Sequence, residues 1–126
     1  MDTLEYKESS FRCHEFEQSI LNVQIKYQLL KMKDSIFLWI GDQKTPLLSD
    51  LSYGIQSPYA SYPITTKILG TASPDLTSLT MAERLSKKLK KPVYVSFNLS
   101  VTNKQIIEEI EVRLNEEIEI NREMFH

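Results

Sequence analysis

A chain of 126 residues with one cysteine, two histidines and three glycines has little from which to build an active site. Cys13 cannot close an internal disulfide, which predicts a reducing compartment, the cytoplasm or the nucleus. Gly41, Gly54 and Gly70 stand singly, so neither a phosphate loop nor a dinucleotide fingerprint can form. No serine lies in a nucleophile elbow, and no Cys/His spacing or Asp-rich loop points to a metal. Cys13 and His14 are adjacent, but neighbours on a strand face opposite ways and cannot serve as nucleophile and base. They read as a small buried thiol beside a surface imidazole. Chemistry would require His14 in a cleft against a buried carboxylate. The expectation is no enzyme, no metal and no cofactor.

Long apolar runs are also missing. The longest is Ile36 to Ile40, whereas a membrane helix needs about 20 apolar residues. Met1-Asp2-Thr3-Leu4-Glu5 has neither a basic nor an apolar region, so no secretory signal is expected. Fifteen basic against seventeen acidic residues give a net charge of −2, without the basic excess of a nucleic-acid binder. The run Lys87, Lys88, Lys90, Lys91 reads as a solvated helix end. Glu108, Glu109, Glu111, Glu116, Glu117 and Glu119 read as the solvated face of another helix. Neither a nucleic acid nor a membrane is expected as partner.

What remains is a pattern for one domain over residues 1–126, with 1–8 and 121–126 loosely held. Leu21, Val23, Ile25, Tyr27 and Leu29 alternate with polar residues, the mark of a strand with one buried face. Ser35 to Gly41 is apolar at both parities, as in a central strand. A weaker strand, Ser10 to Glu17, precedes the pair. An even loop at Lys33-Asp34 sets residues whose numbers sum to 67 opposite each other, Leu29 to Leu38, Tyr27 to Ile40 and Leu30 to Phe37. Shorter strands are predicted near Asp50–Ile55, Pro63–Leu69 and Pro92–Leu99. A helix from Asp75 to Lys90 carries Leu76, Leu79, Ala82, Leu85 and Leu89 on one stripe, with Pro74 and Asp75 as start signals. A last helix opens with Thr102 and Gln105 at capping-box spacing and carries Ile107, Ile110, Leu114 and Ile118.

Strands first and helices later predict an α+β fold: an antiparallel sheet of five to six strands with two main helices packed on one face. Two helices cannot cover both faces. The outer face then holds Leu30, Phe37 and Trp39, with Tyr94 opposite in parity to Val93 and Val95. Aromatic residues on a half-polar face are typical of interfaces, unless the middle segment, 42–70, folds back over them.

Four ordered pieces of sequence resemble one family. They are Asp34-Ser35-Ile36-Phe37-Leu38-Trp39-Ile40-Gly41, Tyr62-Pro63-Ile64-Thr65-Thr66-Lys67-Ile68-Leu69-Gly70, Ala82-Glu83-Arg84-Leu85-Ser86-Lys87-Lys88, and Pro92-Val93-Tyr94-Val95-Ser96-Phe97-Asn98-Leu99. The stretch from Phe16 to Glu119 is similar to the proteasome assembly chaperone 4 family. The resemblance implies a heterodimer with proteasome assembly chaperone 3 that binds α-type subunits and promotes assembly of the proteasome core particle α-ring. Leu30, Phe37, Trp39 and Tyr94 are the candidate partner-chaperone interface. Lys87 and Lys88, with the middle loops, are candidates for touching α-type subunits. The tail ending Met124-Phe125-His126 lacks the hydrophobic-Tyr-x ending of another proteasome chaperone pair, so tail insertion is not expected. The competing reading is a roadblock- or longin-like scaffold for a GTPase or trafficking complex.

Overall fold

A computed structural model describes residues 11–44, 46–72, 75–100 and 102–126. Ser10, Thr45, Pro74 and the stretch 1–8 lie outside them. The alternating stretch forms β2 (Val23–Lys31), between β1 (Arg12–Ile20) and β3 (Ile36–Asp42). The β2–β3 hairpin has the predicted register, with Tyr27 opposite Ile40, Leu29 opposite Leu38 and Leu30 opposite Phe37. The Met32 N–H closes the turn on the Ser35 carbonyl at 2.9 Å. Leu21, expected within β2, instead forms a two-residue turn with Asn22, and both have positive φ (48° and 66°). Hairpin turns that match strand twist need that geometry. A leucine there still fits the alternation, which is why sequence pattern extends the strand through it.

The chain continues through β4 (Leu51–Ile55), β5 (Ile64–Leu69), α1 (Thr77–Leu89), β6 (Val93–Asn98), α2 (Lys104–Ile120) and a short α3 (Arg122–Phe125). The sheet order is β1-β2-β3-β6-β4-β5. The six strands and the α+β class are as expected, but the sheet is mixed. After the α1 crossover, β6 enters between β3 and β4, parallel to β3 and antiparallel to β4. A strand inserted in mid-sheet by a helical crossover is where parallel pairing arises.

One face holds the core. Ile25, Tyr27, Leu29, Ile36, Leu38, Ile40, Val93, Val95 and Phe97 pack there with residues of all three helices. Each such aliphatic side chain, fully buried, contributes about 1.5–3 kcal/mol. Of the stripe read for α1, Ala82, Leu85 and Leu89 are buried and Leu79 is half-buried, while Leu76, just before the first turn, is exposed. Ser78, Ala82 and Ser86 face the sheet, which lets the helix approach β4 closely. The Ser52 and Ser78 hydroxyls hydrogen-bond at 2.7 Å, and a Cβ on Gly54 would lie 2.7 Å from the Ala82 carbonyl oxygen. Gly54→Ala should therefore lower stability by about 2 kcal/mol, because the helix must back away. A shifted urea midpoint is the readout; an unshifted one would mean the close approach contributes nothing.

Start signals also differ in detail. The Asp75 carboxylate accepts from the Thr77 N–H at 3.0 Å, as the first turn of α1 requires. At α2 the cap is Asn103, whose Oδ1 accepts from the Ile106 N–H at 2.9 Å, rather than Thr102. Of the last six residues, expected to be loosely held, Arg122–Phe125 form α3 and bury Met124 and Phe125.

Candidate protein interface on the outer sheet face

The uncovered face is organised by strand register. Cys13 lies opposite Leu30, Leu30 opposite Phe37, Phe37 opposite Tyr94, Tyr94 opposite Tyr53, and Tyr53 opposite Thr66. One row therefore crosses all six strands, and its centre is Leu30, Phe37, Tyr94 and Tyr53. All four are half-buried, open to solvent on one side only. The Tyr53 and Tyr94 rings meet at 4.7 Å, tilted by 49°. Burial and, next, the neighbouring Tyr94 phenol push Tyr53 above its ordinary value, so it stays neutral and can donate its O–H. Ile55 and Ile64 pair at the end of the β4–β5 hairpin and extend the apolar surface. Towards β1 the face turns polar, with Glu15 opposite Gln28 and Glu17 opposite Lys26. An apolar centre with a polar rim is the anatomy of a protein interface.

Sequence reasoning identified Leu30, Phe37 and Tyr94, and the register brings them together. Tyr53 falls in the strand predicted near Asp50–Ile55 but is not among the candidates, because local pattern does not show that β4 lies beside β6. Trp39 shares the face but is only 8% exposed. Its indole N–H donates to the Leu47 carbonyl at 2.7 Å, so the segment after β3 does fold back over it. The ring lies across Gly41, where any Cβ would come within 2.5 Å of it. Trp39 thus anchors the 46–48 strap, whose Leu47 and Leu48 side chains remain exposed. The strap is held further by Asn98, whose Oδ1 accepts from the Ser49 N–H at 3.0 Å. Where β4 has yet to begin, the Asp50 carboxylate takes the place of a ladder partner, accepting from the Phe97 N–H at 3.1 Å.

Lys87 and Lys88 lie a layer away, on α1. Lys87 is exposed, and the Lys88 ammonium donates to the Asn115 side chain of α2 at 2.9 Å. Arg84 and Glu111 make a second link between the helices.

The thiol and imidazole are arranged opposite to expectation. Cys13 is exposed on the outer face, and His14 turns inward. His14 Nε2 lies 2.8 Å from a carboxylate oxygen of Glu117, so Glu117 is not part of a solvated face but is 4% exposed. Arg113 reaches the other oxygen at 2.7 Å, and Asn121 also donates to the carboxylate. The Arg113 guanidinium lies over the Phe16 ring, 4.8 Å from its centroid, and Phe16 stacks on Tyr27 at 4.3 Å. Burial, with Arg113 opposing it, pushes the Tyr27 phenol up, and its O–H donates to Gln18. The carboxylate is thus shared among three donors and clasps the edge strand β1 to α2. Among the described residues, no group of three or more His, Cys, Asp or Glu side chains could hold a metal ion.

A family model described as proteasome assembly chaperone 4 matches residues 24–99. Over 112 residues the chain is 37% identical to proteasome assembly chaperone 4 of Homo sapiens, with 89% of each chain covered. The Mus musculus protein of that name is 36% identical over the same length and coverage. A chain in the crystal structure of a chaperone complex for yeast 20S proteasome assembly shares the fold, with a TM-score of 0.65. That match covers 93% of this chain and 99% of the other at 15% identity.

Proposed function

Since this chain belongs to the proteasome assembly chaperone 4 family, we propose that it promotes assembly of the proteasome core particle α-ring as a heterodimer with proteasome assembly chaperone 3. The pair binds α-type subunits and holds them in an assembly-competent orientation by surface complementarity, without nucleotide or catalysis. The observation that carries the reading is the row Leu30, Phe37, Tyr94 and Tyr53 on the face the helices leave uncovered. Laid against a partner of similar size, that face can bury the roughly 800 Å² per side of a stable complex. The His14–Glu117 contact does not support an enzymatic role, because Arg113 and Asn121 occupy the same carboxylate and Cys13 faces the other way. The protein works in the cytoplasm or nucleus, where a thiol as open as Cys13 stays reduced.

The test is co-expression with chaperone 3, size measurement of the product, and pull-down of individual α-type subunits. Phe37→Asp should weaken the heterodimer by about 2 kcal/mol, roughly 30-fold, while circular dichroism stays native. A heterodimer of unchanged affinity would remove the outer face from consideration. Recovery of a GTPase or coat protein in place of α-type subunits would favour a scaffold module instead.

A further inference from the structure

The two strands that end the sheet are finished differently. β1 projects Glu15 and Glu17 from its outer face, charged guards of the kind that keep an edge from pairing with another chain. The single charged residue of β5, Lys67, is withdrawn. Its ammonium lies 3.2 Å from the Asp50 carboxylate and donates to the Asp75 carbonyl, and its side chain is 11% exposed. Exposed in its place are Ile64 (59%), Ile68 (46%) and Leu69 (41%). Among the described residues, the backbone of β5 hydrogen-bonds only to β4. Its other side is therefore a row of open N–H and C=O groups without a guard.

We propose that the β5 edge, along Ile64–Lys67, accepts an extended, uncharged segment of a client protein as a seventh strand. Main-chain hydrogen bonds supply affinity in such strand addition, and alternate side chains supply selectivity. Ile64 and Thr66 on one face and Thr65 on the other favour aliphatic or β-branched residues opposite them. A second copy of this chain fits less well. Antiparallel self-pairing matches faces only when the two-fold axis passes through a residue. Through Thr66 it sets Ile64 against Ile68, where the β4–β5 register shifts by a bulge. Through Lys67 it opposes two lysines, and through Thr65 it leaves a ladder of only residues 64–66. The outer face presents side chains, whereas the edge presents backbone in the plane of the sheet. A partner lying flat on the face thus leaves the edge open to a second protein.

The inference rests on the client-binding half of the proposed function, and its test separates the two. The heterodimer with chaperone 3 is mixed with individual recombinant α-type subunits, and amide exchange is followed across residues 64–67. Binding should slow the edge-facing amides about tenfold or more, while amides already bonded to β4 change little. Ile68→Lys, which restores a guard on β5 at an exposed position outside the outer-face row, should weaken α-type subunit binding about tenfold and leave the heterodimer intact. Subunit binding with unchanged β5 exchange overturns the edge site but not the chaperone reading. Failure of any α-type subunit to bind overturns both. Protection already present in the heterodimer alone, or growing with the concentration of the isolated chain, assigns the edge to chaperone 3 or to a second copy and overturns the proposal.

Discussion

Phe125→Ala should lower folding stability by about 3–5 kcal/mol, the range for emptying a fully buried aromatic site. Phe125 is 1% exposed, and it belongs to a four-residue helix that could not persist in isolation. α3 is therefore ordered by what it packs on. Lys31 donates to the Glu123 carbonyl and Lys91 to the His126 carbonyl, the latter at 2.9 Å, so two lysines hold the segment from outside. Burial, reinforced by the charge of Lys31, lowers the Lys91 ammonium below its usual value despite Asp34. Those contacts are partly solvated and cannot replace the ring. Urea denaturation measures the loss, and Ile120→Ala, at a position 72% exposed, serves as a control expected within about 0.5 kcal/mol of wild type. A Phe125→Ala shift no larger than the control's would show that α3 contributes nothing to the core.

Glu117→Ala should cost about 2–3 kcal/mol at neutral pH, since it strands Arg113 and His14 without their shared partner. The figure sits below that for a fully buried pair because the Arg113 and His14 side chains remain 25% and 28% exposed. Burial is the largest influence on the Glu117 carboxyl and raises it. The hydrogen bond from His14, the charge of Arg113 and the hydrogen bond from Asn121 together outweigh burial and leave it below its ordinary 4.5. As pH falls, the unfolded chain takes up this proton before the folded one. The stabilisation is thus complete above about pH 4.5 and disappears as pH drops through the lower folded value. The stability gap between wild type and Glu117→Gln should narrow over that acid window. A gap that stays constant from neutral pH into acid would show that the clasp does not depend on the carboxylate charge.

The parts of the fold that could be read from sequence are those governed by local periodicity. Alternation in Val23–Leu29 and a turn at Lys33-Asp34 determined which residues of β2 and β3 face each other, and hence that Leu30 and Phe37 are neighbours on the outer side. Parity did the same for Tyr94 and separated Cys13 from His14. The errors share one cause. Leu76 was preferred to Ser78 as a buried position because hydrophobicity is local, whereas the space available beneath α1 is set by Gly54, a residue on another strand. Glu117 looked solvated because its partner His14 is 103 residues away in the chain.

By itself, then, the sequence determined the α+β class, the register of the central hairpin, the identity of most outer-face residues and the resemblance to a family of assembly chaperones. Each follows from a repeat of two or of 3.6 residues, or from ordered motifs, and neither needs knowledge of distant contacts. Tertiary structure alone decided that β6 enters beside β3, which joins Tyr94 and Tyr53 to Phe37 in one row. It also decided that the 46–48 strap roofs Trp39, that α3 docks, and that Lys67 turns away from its own edge. These depend on which surfaces meet across the chain, where packing and hydrogen-bond satisfaction override local preference.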